Sequence, residues 1–355
     1  MRVTLADLAR RLGLSKSTVS RALRGDPRVT AATRERVLQL AAEYNYSPHP
    51  LASALARNRS NTLGVAIPFP PRSFSNPFYL EFVGGVGDCA MTKGYTLFFL
   101  DATLFESPDL GAGEEAAGGK SGARMAALAD GFILTEPLVD DPRIDTLLEM
   151  KKPFVLLGSL SGDDARSERV WCVDGDNVGG CRAVVGHLIA LGHRRIACIT
   201  GSPEQAATER RLLGYRQALE SAGLPFVERA VVEGDFTEEG GRRAVDRLLA
   251  QYPEATAIFA SNDLMAIGAI QRLSELGIEV PGKMSVAGFD GIRYGRYVTP
   301  ELTTAVQPIG ELGRRAATTL LALVEGEAAP TRRTILPCTL RPGASAAAPP
   351  EQQPE

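Results

Sequence analysis

The chain has 355 residues, 44% of them hydrophobic and 23% charged, with a formal net charge of −3. That composition supports a large buried core and more than one domain, and it excludes a disordered or collagen-like chain. No run of 18 apolar residues occurs, and the first residues lack the cationic, apolar and small-residue succession of a signal peptide, so the expectation is a cytoplasmic protein. Five cysteines, Cys89, Cys172, Cys181, Cys198 and Cys338, are scattered and never spaced C-x-x-C, which fits reduced thiols in the core.

The small net charge hides an asymmetry. Residues 1–60 hold 11 Lys and Arg against 4 Asp and Glu, leaving 28 against 38 for the rest. A basic head on an acidic body suits a phosphate-rich partner for the head alone. Within that head, VTLADLARRLGLSKSTVSRAL reads as two short helices. Thr4 caps the first, whose apolar positions are Leu5, Leu8, Ala9 and Leu12; Gly13 supplies a tight turn; Ser15 caps the second, which carries Val19, Ala22 and Leu23. A third helix follows Thr30, with Val37, Leu38, Leu40 and Ala41 apolar.

This is the pattern of a helix-turn-helix, whose second helix presents its N-terminal residues to base edges in the major groove. Those residues are Lys16, Ser17 and Arg21, and the two cations can donate to O6 and N7 of guanine. Thr4, Ser15, Thr18, Ser20, Arg24 and Thr30 carry hydroxyl or guanidinium groups suited to backbone phosphates. After Pro48 and Pro50, the segment Leu51 to Arg57 is too short to be a stable helix alone; its Leu55 could serve as an apolar wedge in the minor groove once packed on a second copy.

From residue 62 onward apolar strands alternate with helical stretches: TLGVAIPF, YTLFFLDA, GFILTEP, PFVLLGS, VWCVD, RIACITG, AVVEGD, AIFASND, SVAGFD and LTTAVQP. Near-continuous apolar runs indicate parallel strands covered on both faces, and about ten of them indicate two doubly wound lobes and not one sheet. Ligands of such lobes sit beyond the carboxyl ends of strands. Asp290, Asn262 with Asp263, and Arg211, expected to open the helix after RIACITG, are the residues so placed, and an Arg with an Asp can hold adjacent hydroxyls of a polyol.

Signals for an enzyme are weak. Gly111-Ala-Gly113 and Gly85-Val-Gly87 are fragments of a dinucleotide fingerprint without its strand-to-helix setting. The three histidines, His49, His187 and His193, form no metal spacing, and a turn or helix-end role is expected of the last two. Neither a catalytic residue nor a cofactor or metal is therefore expected.

The head segment above, VTAATRERVLQLAAEYNYSPHPLASALA, and, further on, NPFYLEFVGG, DNVGG, HLIALGHRRIACITG, SNDLMAIGAI, SVAGFD and TPELTTAVQP together resemble the lactose-repressor (LacI/GalR) family of bacterial transcription regulators over almost the whole chain. The resemblance implies a core with the fold of periplasmic sugar-binding proteins, an operator DNA partner, a homodimer and a small-molecule effector. It places base-reading positions on Lys16, Ser17 and Arg21 and the intercalating leucine on Leu55. It also places effector contacts on Arg211, Asn262 and Asp290, packing aromatics on Phe78, Tyr79 and Phe236, and further pocket positions on Ser159, Gln205 and Ala207. Gly158 and Gly291 stand where many members carry acidic residues, which implies fewer carboxylates in the cleft.

The expected architecture is an all-α helix-turn-helix headpiece (1–47), a hinge helix and linker (48–61), an α/β core of two doubly wound parallel-sheet lobes (62–340) and a disordered tail (341–355). The expected function is a DNA-binding regulator, most simply a repressor, controlled by a sugar; a nucleobase or nucleoside effector, or a cytoplasmic sugar-binding protein without operator specificity, are the alternatives.

Overall fold

The computed structural model describes residues 3–23, 25–44, 46, 59–67, 75–105, 128–160, 164–328 and 331–350. Arg24, His49, Leu55 and the glycine-rich stretch 111–127 therefore lie outside the described residues. Two units are distinguished, Met1–Ser60 and Asn61–Glu355.

The first unit contains α1 (Leu5–Leu12), α2 (Lys16–Leu23) and α3 (Ala31–Glu43). Thr4 and Asp7 form a reciprocal capping box at the start of α1. Gly13 ends it at φ 67°, a left-handed turn that a side chain would strain. Ser15 Oγ accepts from Thr18 N at 3.1 Å and so caps α2, and Thr30 caps α3. Leu8, Val19 and Val37 are fully buried at the centre, with Ala9, Ala22 and Ala41 letting the helices approach closely. Leu38 departs from expectation: it is 48% exposed, because Val37 and Ala41 define the inward stripe and the next residue turns about 100° away. Arg34 Nη2 donates to the Gly25 and Asp26 carbonyls at 3.2 and 3.0 Å, fixing the loop before α3.

The second unit is built on two six-stranded sheets. The first contains β1 (Thr62–Ile67), β2 (Thr96–Asp101), β3 (Gly131–Thr135), β4 (Phe154–Leu157), β5 (Trp171–Gly175) and β11 (Arg333–Leu336), in the order β11-β5-β4-β3-β1-β2 and wholly parallel. The second contains β6 (Ile196–Thr200), β7 (Val231–Glu233), β8 (Ala257–Ala260), β9 (Ser285–Asp290), β10 (Thr303–Val306) and β12 (Thr339–Arg341), in the order β12-β10-β9-β8-β6-β7, with β12 alone antiparallel. β3, β4, β6, β8 and β9 are buried at every position, which is why they read as unbroken apolar runs. All ten expected strands form. β11 and β12 were not expected, since each is a short edge strand with no fully buried residue.

Helices α4 (Pro77–Thr92), α5 (Pro142–Glu149) and α10 (Ile309–Glu325) belong to the first lobe; α6 (Asn177–Ala190), α7 (Ala206–Ser221), α8 (Glu238–Gln251) and α9 (Asp263–Glu275) belong to the second. The chain passes between lobes three times, at 175–177, 306–309 and 336–339. The first and third passages are joined directly by Asp176 N donating to Leu336 O at 2.8 Å.

The expectation of a disordered tail from 341 is corrected over 341–350. Ser345 is fully buried, its Oγ donating to Val286 O at 2.6 Å and accepting from Thr303 N at 2.8 Å. His193, just past the end of α6, is buried with a ring nitrogen 2.8 Å from Ala347 O. Low complexity misled here because the tail is held through its backbone and one serine, not through an apolar pattern. Replacing Ser345 by Ala leaves buried backbone groups unpaired, and urea unfolding should show a loss of about 1–3 kcal/mol. A change under about 0.5 kcal/mol, the level of an ordinary surface substitution, would mean the tail contributes nothing to the core.

Candidate functional site

A cleft of about 730 Å³, its open mouth included, lies between the two sheets at the carboxyl ends of their strands. All nine residues that the resemblance placed there line it: Phe78, Tyr79, Ser159, Gln205, Ala207, Arg211, Phe236, Asn262 and Asp290.

Arg211 organises the second lobe's side. It lies in the second turn of α7, which begins at Ala206, and so does not open its helix as the sequence suggested. Its Nε donates to Asn177 Oδ1 at 2.8 Å, its Nη1 to the Ser261 carbonyl, and its Nη2 lies 3.2 Å from Asp290 Oδ1. The guanidinium carbon sits 4.2 Å from the Phe289 ring centroid and 5.6 Å from that of Phe236. Asp290 also accepts from Gln307 Nε2 at 2.9 Å; burial pushes its carboxyl up, and Arg211 and Gln307 pull it partly back. Asn262 caps α9 through Oδ1 and donates Nδ2 to the Phe236 carbonyl at 2.9 Å, tying that aromatic to the wall. Asp263 does not line the cleft. Its carboxyl accepts from Ile292 N and Thr304 Oγ1, and burial drives it well above the usual range.

On the first lobe's side, Asn76 caps α4 and positions Phe78 and Tyr79, whose rings meet edge to face at 5.6 Å. Glu136 follows β3 at φ 49°. Its loop is braced by the buried Asp141–Arg143 pair, in which Arg143 Nη2 also donates to the Glu136 carbonyl at 2.7 Å. The Glu136 carboxyl reaches across the cleft to accept from Gln205 Nε2 at 2.9 Å, and burial raises it to about 7 despite Arg143, Gln205 and Arg211. The same two loops exchange backbone bonds, Val139 N to Glu204 O and Ala206 N to Pro137 O, while Arg210 donates to Leu160 O.

The two glycines expected to lower the number of cleft carboxylates are held by their backbone, and two carboxylates not singled out from the sequence line the cleft. At Gly158 a φ of 120° and the closeness of Pro137 leave a side chain no room. Gly291 likewise takes a positive φ, against Val306. Yet Glu136 and Asp174 line the cleft beside Asp290. Both end strands, GFILT and VWCVD, so the strand-end rule that singled out Asp290 would have found them. Asn177, Gln307 and Asn76 were also missed; each acts by holding another residue or a helix end.

In the other unit, Lys16, Ser17 and Arg21 are exposed, and positions 16, 17, 20 and 21 fall on one side of α2, opposite the buried Val19 and Ala22. The Ser15 and Thr18 hydroxyls are 2.8 Å apart, and those of Thr4 and Thr30 serve as helix caps. Among the described residues no cluster of three or more His, Cys, Asp and Glu is placed to hold a metal, and no helix is long and apolar enough to cross a membrane.

Comparison with known proteins follows the same division. Residues 4–49 match the model of bacterial regulatory proteins of the lacI family, and residues 185–346 that of the periplasmic binding protein-like domain. The HTH-type transcriptional regulator CelR of Thermobifida fusca is 35% identical over 94% of this chain and 96% of its own length. A solved CelR–cellobiose complex matches with a TM-score of 0.72 at 32% identity, covering 97% of this chain and 100% of that one. The lac repressor dimer bound to operator and the anti-inducer ONPF matches with a TM-score of 0.79 at 27% identity, covering 98% and 100%. A basic helix-turn-helix head, a two-lobed core with a polar cleft and similarity along nearly the full length thus agree, and the chain belongs to the lacI family of bacterial regulatory proteins, as a DNA-binding transcriptional regulator and not an enzyme.

Proposed function

We propose that the protein is a homodimeric operator-binding repressor whose DNA affinity is set by a sugar held in the cleft of the core. The observation that carries this reading is the Arg211–Asp290 pair in a cleft also lined by Phe78, Tyr79 and Phe236: hydrogen-bonding groups together with aromatic rings suit a pyranose. The similarity to CelR, solved with cellobiose, supports a carbohydrate over a nucleobase. In the headpiece, Lys16, Ser17 and Arg21 read base edges, while Thr4, Ser15, Thr18, Ser20, Arg24 and Thr30 meet phosphates and Leu55 enters the minor groove. Ligand binding changes the preferred arrangement of the lobes and, through that differential affinity, the affinity for DNA.

Selection of sites from random duplex DNA tests the reading, followed by binding to the best site with sugars and nucleobases present. A two-fold symmetric site whose affinity a sugar shifts is expected; sequence-blind binding would remove the operator. Arg21→Ala should lower discrimination at one base position of each half-site by about 1–3 kcal/mol. Equal losses on all sequences would reduce Arg21 to a phosphate contact. Asp290→Asn, which keeps the shape of the pair but removes its charge, should weaken sugar binding by about 1.5–3 kcal/mol in calorimetry. Operator affinity without ligand should stay as it was, and an unaltered sugar affinity would take Asp290 out of the site.

A further inference from the structure

The charge balance of the cleft is unusual for a site with an arginine at its centre. Glu136, Asp174 and Asp290 all line it, and Arg211 is the one cation among its described lining residues. The charge of that cation is already balanced by Asp290, 3.2 Å from Nη2, while Nε and Nη1 donate to Asn177 and the Ser261 carbonyl. The neighbouring cations are engaged as well: Arg143 holds the Asp141 carboxylate at 2.6 Å and the Glu136 carbonyl, and Arg210 donates to Leu160 O. Helix N-termini, which could otherwise attract an anion, are closed where they reach the cleft. Asn76 caps α4, Asn262 caps α9, and the Ala206 N–H at the start of α7 is given to Pro137 O.

We propose that this cleft admits uncharged sugars and rejects their acidic or phosphorylated counterparts, and that Glu136 is the residue that sets this selection. The inference rests on the sugar reading above and adds the charge class of the ligand. Glu136 is well placed for the role because its carboxyl spans the cleft to Gln205 and has one oxygen left to accept a ligand hydroxyl. An anion bound there would meet Glu136 and Asp174, while among the described residues the lining cation, Arg211, is already paired with Asp290. The groups facing Glu136 are Arg143 from α5, with Asp141 beside it, and Gln205 and Arg211 from the start of α7. Burial raises the Glu136 carboxyl to about 7, so it is ionised above that pH and largely protonated well below it.

The test compares glucose, maltose and cellobiose with glucuronate and glucose 6-phosphate by thermal shift and calorimetry on the full-length protein. Glucuronate is the informative anion, since it keeps a single charge throughout the range used. At about pH 8 the anions should bind at least roughly tenfold more weakly than the best uncharged sugar. Glu136→Gln should narrow that gap severalfold at about pH 8 and leave it nearly unchanged at about pH 5.5, where the native carboxyl is already neutral. A merely structural role would alter affinity equally at both pH values and for both classes. Asp174→Asn, which keeps the same shape, provides a second variant should Glu136→Gln unfold. A sugar acid or phosphate as the strongest ligand, or a gap that ignores both substitutions, overturns the selection while leaving the sugar reading in place. Binding of a nucleobase with no response to any sugar overturns both.

Discussion

A guanidinium taken out of water has to be compensated on every side, and the second lobe of this core is arranged around that requirement. Arg211 comes from α7, but its partners come from the start of α6, the turn before α9, the end of β9 and the ring of Phe289. Breaking such a network by removing one partner leaves an unpaired buried charge, which costs far more than the net worth of any single contact. Four segments distant in sequence are thereby held in register at one spot. The first lobe contributes differently, with aromatic rings from α4 and a carboxylate on a loop. One wall is a rigid polar lattice and the other is a set of side chains brought up to it.

Backbone strain follows the same geography. Six described residues other than glycine have a positive φ, and three of them, Glu136, Phe236 and Asp290, line the cleft. Such conformations cost of order 1–3 kcal/mol each and persist only where surrounding structure over-determines them. The restraints are visible in each case: the Asp141–Arg143 brace behind Glu136, the Asn262 amide on the Phe236 carbonyl, and Arg211 with Gln307 on Asp290. Much of the polar machinery around the cleft therefore serves to hold these three residues in place, not to touch a ligand.

The sequence made most of this legible because central parallel strands leave an unmistakable trace and because ligand-facing residues follow strand ends. Ten strands and Arg211, Asn262 and Asp290 could be read that way; the head was legible from its caps and apolar spacing, and the remaining expected cleft residues only from the family resemblance. β11, β12 and the strap around Ser345 could not, since an edge strand or a backbone-held segment leaves no periodic apolar signature. Glu136 and Asp174 were legible by the strand-end rule that singles out Asp290, since one follows β3 and the other stands near the end of β5, but no sequence motif marks them. Arg211 was found, but its helix was begun five residues late, because Gln205 starts it without a side-chain cap.

The three passages between lobes have a consequence for how the chain comes to be folded. The first sheet takes its outermost strand from Arg333–Leu336 and its covering helix α10 from Ile309–Glu325, long after β5 has left the ribosome. Non-local pairings of this kind are slow to form and expose unpaired edges while they wait. The head, by contrast, is complete within its first 60 residues. During synthesis the part that carries the recognition helix can therefore be finished while β5 still presents an open edge and α4 an uncovered face. The second lobe is threaded between the two halves of the first, and its own last strand, β12, follows β11 in the chain. Neither lobe is a continuous piece of chain, so each waits for residues beyond 330 to supply its last strand.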